Sequence, residues 1–161
     1  MSTSPDRSNP PFPDEVAEQL GRHLQLTLVE LIALSLCGKQ LQWNAYGREF
    51  LGLHRHLDQV VGEWRALADM VAERAAAIGI APDGSAGAVV ELCDIGTLEP
   101  GFTEAGGASE TLCAQLWEVA VRVRGRAELA GELDLVSRDV LLDVVRKLEE
   151  QLWLMRAQLA D

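Results

Sequence analysis

Val16, Leu20, Leu24, Leu28, Leu31 and Leu34 recur every three or four positions, the spacing of one helical face. Asp14 can cap this first helix, which the pattern carries to about Gln42. Asn44 to Gly47 interrupts the pattern. A second long helix follows and ends at Gly79, where AIGIAP supplies a terminating glycine and then a proline. The stretch 83–96 has room only for a short helix, and EPGFTEAGG (99–107) reads as a loop. A third long helix is predicted from about Ser109 to Ala130 and a fourth from about Ser137 to Leu159. The fourth takes its apolar stripe from Leu141, Leu142, Val145, Leu148, Leu152, Met155 and Leu159. No segment alternates with the period of a strand, and there is no internal repeat. The expected fold class is all-α: a four-helix bundle with one long crossover, between the second and third long helices, and a small helix inside that crossover.

At 161 residues with 48% apolar content, one domain with a sizeable core is expected. Its bounds are 14–161, after a Ser/Pro-rich N-terminal tail (1–13) that reads as disordered. The tail has no apolar core of a signal peptide, and VELIALSLC (29–37) reads as a buried helix segment, not a membrane span. Cys37, Cys93 and Cys113 are odd in number, far apart and set among apolar residues. They point to reduced thiols in the cytoplasm, with no disulfide framework and no zinc cluster. The formal net charge of −11 disfavours nucleic acid as the main partner and favours small cations.

Charge changes the picture most on the second helix. At about 100° per residue His54, Asp58, Asp69 and Glu73 fall at about 0°, 40°, 60° and 100°, a single stripe of imidazole and carboxylate. His54 and Glu73 stand roughly 28 Å apart along the axis, too far for one ion within one chain. The four positions are, however, symmetric about the point between Glu63 and Trp64. Antiparallel two-fold pairing of this helix with its own copy sets His54 opposite the second copy's Glu73 position and Asp58 opposite the Asp69 position, as an isologous interface requires. Gly62 lies on the same face near the crossing. Two identical metal sites per dimer, each built from both subunits, are the expectation. The competing reading is an ordinary solvated helix face, since charges at i, i+4 are commonplace.

KQLQWNAYGREFLGLHRHLDQ followed by LADMVAERAAAIGIAP resembles the signature of the Dps family, the ferritin-like mini-ferritins, and LEEQLWLMRAQL resembles its closing helix with Trp153. The resemblance implies a ferritin-like four-helix bundle that assembles from two-fold dimers into a hollow dodecamer. It implies oxidation of ferrous iron by hydrogen peroxide or oxygen, and storage of the ferric product as protection against oxidative stress. His54, Asp58, Asp69 and Glu73 match the family's inter-subunit centre. The family usually carries His before the Trp of its WN motif; here Gln42 precedes Trp43, a neutral amide and a weaker ligand. No other histidine substitutes, because His56 faces away from His54 and His23 lies far upstream. Trp43 and Trp64 are the aromatics near the centre. Asp134, Asp139 and Asp143 match the aspartates of the family's three-fold pore, although Asp134 and Asp139 are also ordinary helix-start residues. The E-x-x-H pairs of larger ferritin-like proteins are absent, which favours a shared centre over one inside each bundle.

DNA binding, the family's other activity, is not expected. The tail offers only Arg7 against Asp6, and the nearest basic run, RVRGR (122–126), reads as a solvated surface. The expectation is thus an iron-oxidising store. A metal-binding cage with a vestigial centre is the first alternative, because of Gln42. A DNA-compacting protein on the same fold is the second.

Overall fold

The computed structural model describes residues 11–96 and 98–159. Four long helices form two antiparallel hairpins. The first pairs α1 (Asp14–Asn44) with α2 (Phe50–Ala77), and the second pairs α4 (Ala105–Gly131) with α5 (Leu135–Leu159). The crossover between the hairpins contains the short α3 (Ala86–Leu92). The all-α bundle read from the sequence is the fold of the chain. Of the N-terminal tail, residues 1–10 lie outside the described residues, while Phe12 packs against the core.

Leu20, Leu24, Leu31 and Leu34 of α1 are fully buried against Leu57 and Trp64 of α2, Leu112 and Leu116 of α4, and Leu141 and Leu148 of α5. Burying such a side chain contributes about 1.5–3 kcal/mol, so this interior supplies most of the driving force. Trp64 is fully buried, and its indole N–H donates to Gln151 Oε1 at 2.7 Å, which satisfies its one polar atom. Gly38 lets α1 and α2 approach: a Cβ there would stand 2.7 Å from Val61 and 2.8 Å from Trp64. Over 18 residues α1 reaches a mean hydropathy of 1.3, which a bilayer span also could, but 61% of that window is buried inside the bundle.

The ends of the helices depart from the expected bounds for local reasons. Asp14 lies within the first turn of α1, where its charge meets the helix dipole, and Pro13 holds the cap position. Gly79, at φ 87°, turns the chain out of α2 in the left-handed region. The third long helix, α4, begins four residues before Ser109, because the Glu104 carboxylate accepts from the backbone N–H of Gly106 (2.8 Å) and Gly107 (3.4 Å). That cap outweighs the poor helix propensity of two glycines. The two-residue strands β1 (Ala45–Tyr46) and β2 (Thr103–Glu104) pair in parallel and tie the α1–α2 turn to the end of the crossover. Two residues are too few to leave a periodic signal.

Asp134 opens α5. Its carboxylate accepts from the N–H of Val136 (3.2 Å) and Ser137 (2.6 Å) and from the Arg74 guanidinium of α2 (2.7 Å). Burial opposes its ionisation, but the bonds from Ser137, Arg74 and Val136 outweigh burial and hold its pKa at about 2, against 3.8 for a free side chain. A depressed carboxyl stabilises the fold above its unfolded pKa, and that stability is lost as pH falls through the folded value. The difference is worth ~2 kcal/mol, and the group is only 10% exposed, so little of that is lost to solvent screening. Asp134→Asn should therefore lower stability by ~2 kcal/mol at neutral pH, with the gap closing between about pH 4 and pH 2. Urea unfolding across that range measures it. A gap independent of pH would mean that the charge is immaterial.

Candidate metal centre

α2 carries the candidate ligands on a face that is largely exposed to solvent. Asp58, Asp69 and Glu73 are exposed and His54 is partly buried. Among the described residues of one chain, no three imidazole, thiol or carboxylate groups converge on a common point. His54 and Asp58 stand one turn apart at one end of the stripe, and Asp69 and Glu73 one turn apart at the other. Between them Gly62 is exposed, and a Cβ there would meet nothing within 4 Å.

The His54 end is organised from α1. The ring of His54 packs on Phe50, centroids 5.3 Å apart, and its Nδ1 lies 3.4 Å from the backbone carbonyl of Gln42. A proton on Nδ1 facing that carbonyl leaves the lone pair on Nε2, the tautomer that a metal ligand needs. Gln42 is 2% exposed, and both ends of its amide are engaged: Nε2 donates to the His54 carbonyl at 3.0 Å, and Oε1 accepts from Lys39 Nζ at 2.7 Å. The same ammonium donates to Asp58 Oδ1 at 2.7 Å. The bonds from Lys39 and Gln42 lower the pKa of Asp58, so its carboxylate stays ionised.

Lys39 is the residue that the sequence reading missed. It stands three positions before Gln42, on the same helical face, and this spacing was the available signal. Its ammonium bridges two oxygens, Gln42 Oε1 and Asp58 Oδ1, as a small cation would.

The remaining candidates are dispersed. Trp43 is 69% exposed beside the His54 end. At the other end of the stripe a largely apolar groove of about 420 Å³ runs past Asp69, lined by Leu28, Ile32, Ala68, Ala72 and Pro82 together with Arg65. His56 turns toward Glu63 on the α5 side, and its Nε2 has no hydrogen-bond partner among the described residues. Asp134 serves as the cap described above, Asp143 is paired with Arg146, and Asp139 is exposed on the first turns of α5. Arg122 and Arg126 of the basic run are not a solvated surface, since both pair with the buried Glu30, while Arg124 pairs with Glu149.

A ferritin-like domain model matches residues 18–161. The chain is 34% identical over 152 residues to the DNA protection during starvation protein of Mycolicibacterium smegmatis, covering 93% of this chain and 82% of that one. It is 31% identical over 159 residues to the fine tangled pili major subunit of Haemophilus ducreyi, covering 99% and 84%. Among solved structures it superposes on DpsA14 of Streptomyces coelicolor with a TM-score of 0.91 at 32% identity, covering 100% of this chain and 96% of that one. The tetragonal form of Mycobacterium smegmatis Dps gives a TM-score of 0.90 at 30% identity, with the same coverage. Sequence signature, domain match and fold agree, and the chain belongs to the Dps family of ferritin-like proteins.

Proposed function

We propose that this protein is a cytoplasmic iron oxidase and iron store. It oxidises Fe²⁺ with hydrogen peroxide or oxygen at centres shared between two-fold-related subunits of a hollow dodecamer. The observation that carries the reading is the stripe of α2, symmetric in sequence and bare near its midpoint, at Gly62, where two helices can cross closely. Pairing this face with a second copy brings the imidazole and carboxylate of one end to the two carboxylates of the other. The exposed Trp43 at one end and the apolar groove beside Asp69 at the other give the same pairing a hydrophobic component.

In this reading Glu73 and Asp69 hold iron from one subunit, and His54 and Asp58 hold or orient it from the other. Gln42 fixes the His54 backbone through its amide nitrogen, and its amide oxygen joins the metal only when Lys39 swings away. Lys39 keeps Asp58 ionised and neutralised until a divalent cation outcompetes one ammonium charge. Asp139 and Asp143 line the entry pore, with Asp134 setting the start of their helix. Iron supplies the redox chemistry; the protein supplies ligands and a confined, negatively charged space.

Stopped-flow mixing of Fe²⁺ and peroxide with the anaerobic protein tests this, and oxidation faster than in buffer is expected. A rate equal to buffer would leave the second reading, a cage that binds metal without oxidising it, which the engagement of Asp58 and Gln42 by Lys39 favours. Gln42→His separates the two further. An imidazole in place of an amide should tighten binding of a redox-inert divalent ion by about tenfold, within the range by which neighbouring groups tune metal sites. Calorimetric titration with Co²⁺ reads this directly, and unchanged affinity would remove Gln42 from the centre.

A further inference from the structure

The crossover runs alongside α1 in the same direction and is clasped to it at both ends. At the start, the Gln25 side chain donates to the Asp83 carbonyl (2.7 Å) and accepts from the Asp83 N–H (2.9 Å). In the middle, Ala88 and Val89 of α3 pack on Val29 and Ala33, and Cys93 and Ile95 cover the same cluster. At the end, the Gln115 amide of α4 donates both to the Gly96 carbonyl (3.2 Å) and to Cys37 Sγ (3.8 Å). Val29, Ala33 and Cys37 stand at i, i+4 and i+8 on α1, so Cys37 is the next turn of the face that the crossover covers. Cys93 packs on that cluster three residues before Gly96, and its charge acts on Cys37. Both thiols are half-buried and free. The third, Cys113, is buried on the side of α4 that faces Arg156 of α5, away from the crossover.

We propose that Cys37 and Cys93 are a peroxide-driven thiol pair that closes to an intrachain disulfide, stapling the crossover to α1. The Cys93 sulfur attacks hydrogen peroxide, giving a sulfenic acid and water. The Cys37 thiol then displaces the hydroxyl as a second water, so two thiols and one peroxide give one disulfide and two waters. Closing the bond releases the Gln115 amide from Cys37. Burial pushes both thiols above the ordinary cysteine range. At Cys93 the Ile95 amide offsets part of this, the Glu30 charge adds to it, Arg122 lowers it and Asp94 raises it; at Cys37 the Gln115 amide lowers it and the Cys93 charge raises it. The thiolate fraction is therefore small and the reaction slow, so the pair responds to sustained peroxide and stays reduced under brief exposure.

The test needs neither iron nor the centre. The assembled protein is treated with peroxide in chelator, denatured, and alkylated without reductant. Intact mass should show the loss of two hydrogens and a single alkylated thiol per chain, and peptide mapping should show Cys37 joined to Cys93. C113S should also lose two hydrogens but carry no alkylated thiol, and C37S and C93S should each abolish the link. Three alkylated thiols, isolated sulfinic acids, or a bridge through Cys113 would overturn the proposal.

Discussion

Glu73→Ala should reduce the rate of Fe²⁺ oxidation to that of buffer, a loss on the order of 100-fold or more, because even groups behind a metal's ligands are worth 10–100-fold. Its exposure on α2, among groups that make no converging site within one chain, predicts that the fold and the melting temperature stay unchanged. His54→Ala should do the same from the other end of the stripe. The decisive version mixes the two variants during assembly. In a mixed dimer both substitutions fall on the same centre, and the other centre recovers an intact His54 and an intact Glu73. Half of randomly formed dimers are mixed and each has one working centre of two, so about a quarter of the wild-type activity should return. A centre contained within one chain predicts no recovery at all. Stopped-flow oxidation of the co-refolded mixture measures the difference, and absence of recovery would sink the shared geometry while leaving the family assignment intact.

That experiment was designable from the sequence, because the relevant signal is local. The helical repeat puts His54, Asp58, Asp69 and Glu73 on one face whatever surrounds them, and their symmetric spacing implies the two-fold without a structure. The bundle was legible for the same reason: most of the apolar residues that recur at helical intervals along α1 and α5 are buried, with Val16, Leu142 and Leu159 only partly so. What the sequence withheld depends on contacts between elements. Lys39 meets Asp58 only because α1 and α2 are antiparallel with Gly38 letting them close up, so residues 19 apart share an ammonium. The early start of α4 depends on one carboxylate turning back onto two glycine amides. The basic run 122–126 read as solvated because its partner, Glu30, sits 92 residues away from Arg122 inside an apolar stretch.

The proposed centre would thereby be tuned from two directions. Lys39 charges Asp58 while occupying it, and Gln42 holds the His54 backbone while replacing a stronger ligand with a weaker one. In the proposed function both features would keep the His54 end ordered before metal arrives, at the cost of competing with metal once it does. The Gln42→His and Glu73→Ala outcomes read opposite sides of this balance: the first measures what the missing imidazole would add, the second what the remaining carboxylate contributes.

Glu30 gives the second large effect. It lies in the middle of α1 with a side chain only 2% exposed, and it accepts from Arg122 Nε and Arg126 Nη1, each at 2.5 Å. Thr27 Oγ1 takes a further bond from Arg126 at 3.3 Å, while Arg122 Nη2 is buried with no partner among the described residues. Two guanidiniums thus share one buried carboxylate between α1 and α4, and Arg122 also stands 3.8 Å from the exposed Glu118. Glu30→Ala leaves Arg126 with no carboxylate partner and Arg122 with only the exposed Glu118 at 3.8 Å, which should cost about 3–5 kcal/mol. For a chain of this size that lowers the melting temperature by roughly 6–20 °C at fixed protein concentration. Replacing all three together, Glu30→Leu with Arg122→Leu and Arg126→Met, removes the charges along with their desolvation penalty and should restore or exceed wild-type stability. The contrast is the test: calorimetry should find the single variant far below the triple. If Glu30→Ala melts with the wild type, the guanidiniums reach water without help and the buried cluster contributes nothing. If the triple variant is the less stable, the ion cluster itself holds α1 to α4, and its charges are a net source of stability.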